Sequence, residues 1–236
     1  MVRGGINGFG RIGRTAVRLA WNRNDIKVVA VNDLGAPSVL AHLLKYDSVF
    51  RTWEKEVGAD DTAIIIDGTK LPVGAQKDPA LIPWRKHDVD VVLECTGRFT
   101  SASAASAHLT AGAKVVVISA PSDTAPTYLM GVNHQEYRAG KTIINNASCT
   151  TNSVAPIIAI LDEAWGVKKA MMTTVHSVTA EQNTVDSLPP ALHADMRRAR
   201  AASVNIIPTS TGAAKATGKV LKGFEGRFDG IAIRVP

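Results

Sequence analysis

Up to Cys149 the chain alternates between two apolar patterns. Short runs of β-branched residues, VRGGIN, IKVVAVN, VDVVLEC, AKVVVIS and KTIINN, have the length and composition of buried strands. Between them, RIGRTAVRLAWNR, APSVLAHLLKY and SASAASAHLTAG repeat their apolar positions at helical spacing. Strand and helix in strict alternation predict βαβ units on a parallel sheet, an α/β fold. One stretch, RTWEKEVGADDTAIIIDGTKLPVGAQ, breaks the alternation and is expected to leave the sheet as a hairpin turning at Asp67-Gly68. After Cys149 the pattern changes to a long helix, SVAPIIAILDEAW, then a strand in KKAMMTTVHSVTA, a proline-containing loop and a second helix, TGAAKATGKVL. This places a boundary between residues 1–148 and an α+β portion, 149–236. GIAIRVP reads as a strand, so the chain is expected to be a piece of a longer one.

Composition narrows the chemistry. With 236 residues and 45% hydrophobic content the chain can bury a substantial core. No signal-peptide pattern or long apolar run stands in it, so the expected location is the cytoplasm, with no membrane partner. Cys95 and Cys149 are its only cysteines, too few for a disulfide framework, and no cysteine or histidine spacing suggests a metal site. A net charge of +6 favours anionic partners. Basic residues are dispersed except in RRAR, residues 197–200, so nucleic acid is not indicated.

Gly8, Gly10 and Gly13 form a GxGxxG turn between the first strand and first helix. Such glycines permit a tight turn and close backbone approach, so that a pyrophosphate can rest on the helix amides. Asp33 ends the next strand, about 20 residues on, where a carboxylate binds ribose hydroxyls. The combination predicts a Rossmann-type dinucleotide domain. Cys149 stands at the start of the long helix, whose positive end stabilises a thiolate, and His176 lies on the following strand. The two can form a nucleophile and its base, or a buried thiol and an unrelated histidine. Cys95, inside the apolar VVLECTG, reads as core.

INGFGRIGR, VNDL, KYDSVF, ECTGRF, ISAPS, NNASCTTN, TTVHS, RRARAA, NIIPTSTGAAKA and IAIRVP, in this order, together resemble the phosphorylating glyceraldehyde-3-phosphate dehydrogenases. The resemblance covers the chain from end to end, and ASCTTN is its most specific part. It implies that Cys149 attacks an aldehyde and that His176 takes up the proton. A thioester then passes to inorganic phosphate, turning glyceraldehyde 3-phosphate into 1,3-bisphosphoglycerate. Ser148, Thr150, Thr211 and Gly212 resemble the inorganic phosphate site, and Thr179 and Arg234 the site for the substrate's own phosphate. Arg198 is placed to serve these anions or belongs to a solvated basic face. Arg11 and Ile12 resemble the residues whose backbone faces the pyrophosphate, and Ser119 the residue near the nicotinamide ribose; Thr96 and Phe99 line the same cleft. Lys77 stands where the family often has an arginine beside adenine. Asp33 favours NAD over NADP, because a carboxylate repels a 2′-phosphate. The family assembles as a homotetramer and continues past Pro236 with further strands, an asparagine and a terminal helix. Two departures, Glu181 and a longer loop at 186–196, bear on substrate fit and on the subunit interface. An erythrose 4-phosphate dehydrogenase and a non-catalytic nucleotide-binding fragment are the alternatives.

Overall fold

The computed structural model describes residues 1–188 and 195–236. The central part of the 186–196 loop therefore lies outside the described residues. The chain resolves into two compact units, Met1–Tyr128 with Glu136–Ala147, and Leu129–Gln135 with Ser148–Pro236.

The first unit opens with β1 (Val2–Asn7), α1 (Arg11–Ala20), β2 (Ile26–Asn32) and α2 (Pro37–Lys45). β3 (Val57–Ala59), β4 (Ala63–Ile66) and β5 (Thr69–Gly74) follow, then β6 (Val91–Glu94), α3 (Ala102–Ala105), α4 (Ala107–Thr110), β7 (Val115–Ile118) and β8 (Ile143–Asn145). They build an eight-stranded sheet in the order β3-β4-β5-β2-β1-β6-β7-β8. Its main body is parallel, with β1 between β2 and β6. The core gathers Ile6, Val17, Val31, Leu40, Leu44 and Ile64 between sheet and helices.

Two expectations change here. The hairpin turns at Asp67 and Gly68, both at positive φ (46° and 75°), as the mirror-image turn demands. β5 then rejoins the sheet, pairing Val31 with Val73, so the excursion is an antiparallel extension of it. The segment SASAASAHLTAG forms two four-residue helices that meet at Ser106.

The second unit contains α5 (Cys149–Trp165), β9 (Ala170–Ser177), β10 (Ile207–Thr209), α6 (Ala213–Val220) and β11 (Phe228–Val235). β11 lies between β10, antiparallel to it, and β9, parallel to it. Ile158 of α5 packs with Ala214 of α6, Phe224 and Phe228. Pro156 removes one helical hydrogen bond from α5 without ending the helix. Burial alternates residue by residue along β9, the strand period of two. Met171 and Val175 lie on the exposed face, and His176 shares the more buried face with Ala170 and Met172.

Candidate active site

In the first unit, the polar ends of β1 and β2 and the residues that follow β6 border a cavity of about 570 Å³ at the carboxyl edge of the parallel strands. Gly8, Gly10, Asp33, Lys77, Thr96 and Phe99 line it. The three glycines differ in what they permit. Gly8 takes φ 91°, and a Cβ there would stand 2.7 Å from the Thr96 amide. On Gly13 a Cβ would collide with the Gly8 carbonyl. Gly10 has nothing within 4 Å of a Cβ, so the space over the start of α1 is free for a ligand. α1 begins at Arg11, and its first helical bond runs from Arg14 N to Gly10 O, which leaves the Arg11 and Ile12 amides available to an anion. The Arg11 side chain instead pairs with Asp47 and lies over the Phe50 ring. Asp33 is held by the Phe9 amide at 2.7 Å and the Gly35 amide at 2.9 Å, which fixes its carboxylate at the cavity. Backbone, open space and a fixed acid fit a dinucleotide.

Cys95 packs against the core, as expected, and also reaches the cavity. It lies one residue past β6, partly buried, and borders the cavity. Burial pushes its thiol up to about 11, against a hydrogen bond from Ser119 that pulls it down. Ser119 itself follows β7 and donates its amide to the Glu94 carbonyl at 3.0 Å.

In the second unit, Cys149 is the first residue of α5, and Ser148 caps the helix by accepting the Thr151 amide at 3.1 Å. Cys149 Sγ stands 3.3 Å from His176 Nε2. His176 Nδ1 lies 2.7 Å from the Ser177 carbonyl, an acceptor, and 3.1 Å from Arg234 Nη1, a donor, so its two neighbours ask opposite roles of that nitrogen while Nε2 faces sulfur. Thr150 and Ser153 line the cavity of about 480 Å³ at this pair. Register brings a cation alongside, because Arg234 of β11 pairs with His176 of β9. Arg234 Nη1 donates to the Ser177 carbonyl and to the Thr179 hydroxyl, each at 3.2 Å. Burial lowers the pKa of this guanidinium, while Glu181 raises it.

Glu181 ties the anion-binding candidates together. Its Oε1 accepts from Arg198 Nη1 at 2.7 Å, from Arg234 Nη2 at 3.2 Å and from the Thr179 hydroxyl at 3.2 Å. Arg198 is only 9% exposed and also donates to Thr209, which removes the solvated-face alternative. Its neighbours Arg197 and Arg200 pair with Asp195 and Asp186, so the RRAR charge is met locally. Thr211 and Gly212 stand at the start of α6, the Thr211 hydroxyl accepting the Ala213 amide at 3.2 Å. Thr211 lines a different cavity, of about 420 Å³, beside Lys215 and Phe228.

Sequence reasoning passed over the buried polar groups behind the first cavity: Asn7, Asn32, Glu94 and His108. A signal was present. VRGGIN, IKVVAVN and VVLE each end in a polar residue at the carboxyl edge, where open α/β sheets bind ligands.

A glycine turn, an acid at the second strand end and a cavity at the carboxyl edge of a parallel sheet define a dinucleotide-binding protein. Comparison with known families narrows the class: residues 2–102 match the "Glyceraldehyde 3-phosphate dehydrogenase, NAD binding domain" and residues 148–236 the "Glyceraldehyde 3-phosphate dehydrogenase, C-terminal domain". The chain belongs to the glyceraldehyde 3-phosphate dehydrogenase family, with NAD as its cofactor. It is 52% identical over 238 residues to glyceraldehyde-3-phosphate dehydrogenase 1 of Bacillus cereus, covering 100% of this chain and 70% of that one. Identity is 51% to glyceraldehyde-3-phosphate dehydrogenase 3 of Kluyveromyces marxianus and 50% to glyceraldehyde-3-phosphate dehydrogenase 1 of Saccharomyces cerevisiae, with the same coverage. These relatives favour neither the erythrose 4-phosphate reading nor the non-catalytic one.

Proposed function

We propose that the chain oxidises glyceraldehyde 3-phosphate with NAD and inorganic phosphate to 1,3-bisphosphoglycerate, the glycolytic reaction, with Cys149 as nucleophile. The approach of Cys149 Sγ to His176 Nε2, 3.3 Å at the head of a capped helix, carries the reading. His176 Nε2 accepts the thiol proton, and the free amides of the first turn of α5 favour negative charge on sulfur. Sulfur adds to the aldehyde carbon, the imidazolium returns its proton to the new oxygen, and the thiohemiacetal hydroxyl is held by the same imidazole, now neutral, and by backbone amides. When bound, NAD would supply the oxidising chemistry, as a hydride acceptor. His176 removes the hydroxyl proton as the carbon is oxidised, which leaves a thioester on Cys149. Phosphate then attacks the acyl carbon and the thiolate departs, giving the acyl phosphate.

Thr179, Arg198 and Arg234 receive the phosphate of the substrate, where it competes with Glu181 for the two guanidinium groups. Ser148, Thr150, Thr211 and Gly212 serve the incoming phosphate. Gly8, Gly10, Arg11, Ile12, Gly13, Asp33, Lys77, Thr96, Phe99 and Ser119 form the cofactor side. The division of labour falls at residues 148 and 149, the enzyme is a cytoplasmic homotetramer, and NAD is preferred to NADP.

The test is NADH formation from glyceraldehyde 3-phosphate, NAD and phosphate. Cys149→Ser should abolish turnover, and His176→Asn should reduce it by about 10² to 10⁴, the ordinary worth of general acid–base catalysis. Full activity in Cys149→Ser would overturn the mechanism.

A further inference from the structure

Glu94, the last residue of β6, is 1% exposed, and the mechanism above gives it no role. Four hydrogen bonds converge on it. Oε2 accepts from Asn7 Nδ2 at 2.6 Å and from His108 Nε2 at 2.9 Å. Oε1 accepts from the Thr96 amide at 2.8 Å and from the Thr96 hydroxyl. The protonation of His108 follows from its other neighbour. The indole N–H of Trp84 reaches His108 Nδ1 at 3.0 Å and can only donate, so Nδ1 is bare and the proton sits on Nε2, directed at Glu94. The carboxylate is thus held by uncharged donors alone, each of which it orients in return.

Three of those four donors belong to residues of the nucleotide cavity, since Thr96 and Asn7 both line it. The chain of bonds continues along the floor: Asn32 Nδ2 donates to Asn7 Oδ1 at 2.9 Å, and the Gln76 amide donates to Asn32 Oδ1 at 2.8 Å. Asn32 and Gln76 are lining residues too. On the far side, His108 and Trp84 are both wholly buried. The cavity floor is therefore anchored at one carboxylate that contributes no surface to it.

We propose that Glu94 is a positioning residue for NAD: braced by His108 and Trp84, it fixes Thr96 and Asn7 in the cavity wall and so sets nucleotide affinity. The inference rests on the reading of this cavity as the NAD site. Glu94→Gln keeps the shape but directs an N–H either at the Thr96 donors or at the Asn7 and His108 donors. His108 cannot relieve the conflict, because moving its proton to Nδ1 would face the Trp84 N–H.

Calorimetric titration of the full chain with NAD tests this. Glu94→Gln should raise Kd about tenfold, the effect of leaving one buried polar group unpaired. His108→Gln provides a carbonyl for Trp84 and an amide for Glu94, and should stay within about threefold of wild type, whereas His108→Leu should weaken binding about tenfold. The Trp84 indole N–H signal in NMR should move in His108→Leu and stay near its wild-type position in His108→Gln. A folded Glu94→Gln chain within about twofold of wild type would overturn the proposal. Should that variant fail to fold, the His108 pair decides, and equal affinities for His108→Gln and His108→Leu would also overturn it. A wild-type chain that binds NAD but shows either result refutes this inference alone; one that binds no NAD refutes the cofactor-site reading as well.

Discussion

At Cys95, burial holds the thiol in its neutral form, with a pKa of about 11. The sign follows directly. A raised folded-state value means that the stability contributed by this group is complete below the ordinary thiol value of about 8.5. That stability is lost as pH climbs through about 11. Cys149 is exposed, with an imidazole nitrogen 3.3 Å from sulfur. Iodoacetamide near neutral pH should therefore label Cys149 first, and labelling of Cys95 should grow only on the alkaline side, as read by peptide mass spectrometry. Equal labelling of both at neutral pH would contradict the assignment. Both residues were visible in the sequence, but their environments were not. The apolar run before Cys95 marks it as core, which it is, but does not show that the strand stops at Glu94 and brings the thiol to the cavity as well.

Among the elements, β2 spans the whole of IKVVAVN, because a continuous apolar run bounded by polar residues defines a buried strand without tertiary information. β10 was not legible. Three residues, one of them Pro208, are too few to display a period, and its antiparallel partner lies in β11. The Glu94 network escaped for a related reason, since Asn7 stands 87 positions away in sequence. At the glycine turn, the motif could be read but not the distinct task of each glycine. Gly13→Ala should destabilise the chain by about 1–3 kcal/mol, because the collision is with backbone that cannot rotate away. Gly10→Ala should cost less than about 1 kcal/mol and still weaken NAD binding, because its methyl enters open space at the start of α1. Urea denaturation separates the two, and equal loss of stability would refute the distinction.

For the molecule as a whole, two units divide the recognisable parts: the glycine turn belongs to the first and the ASCTTN helix to the second. A ligand held by the first unit should protect it in particular. NAD at about 100 times its Kd should add about 2.7 kcal/mol to the stability against unfolding. Hydrogen exchange should register the gain in β1, β2 and β6, and unaltered exchange there at saturation would argue against binding at that sheet. In the second unit, β9 alternates strictly between two faces, with His176 on one and Val175 on the other. Such a strand behaves as a ruler with two-residue graduations. Inserting or deleting a single residue between Ala170 and His176, with the start of the strand held in place, would exchange the faces wholesale, sending the imidazole away from Cys149 and an apolar or hydroxyl side chain towards it. Descendants of this gene can lengthen their loops by any number of codons, but within β9 only even steps keep the face that carries the chemistry.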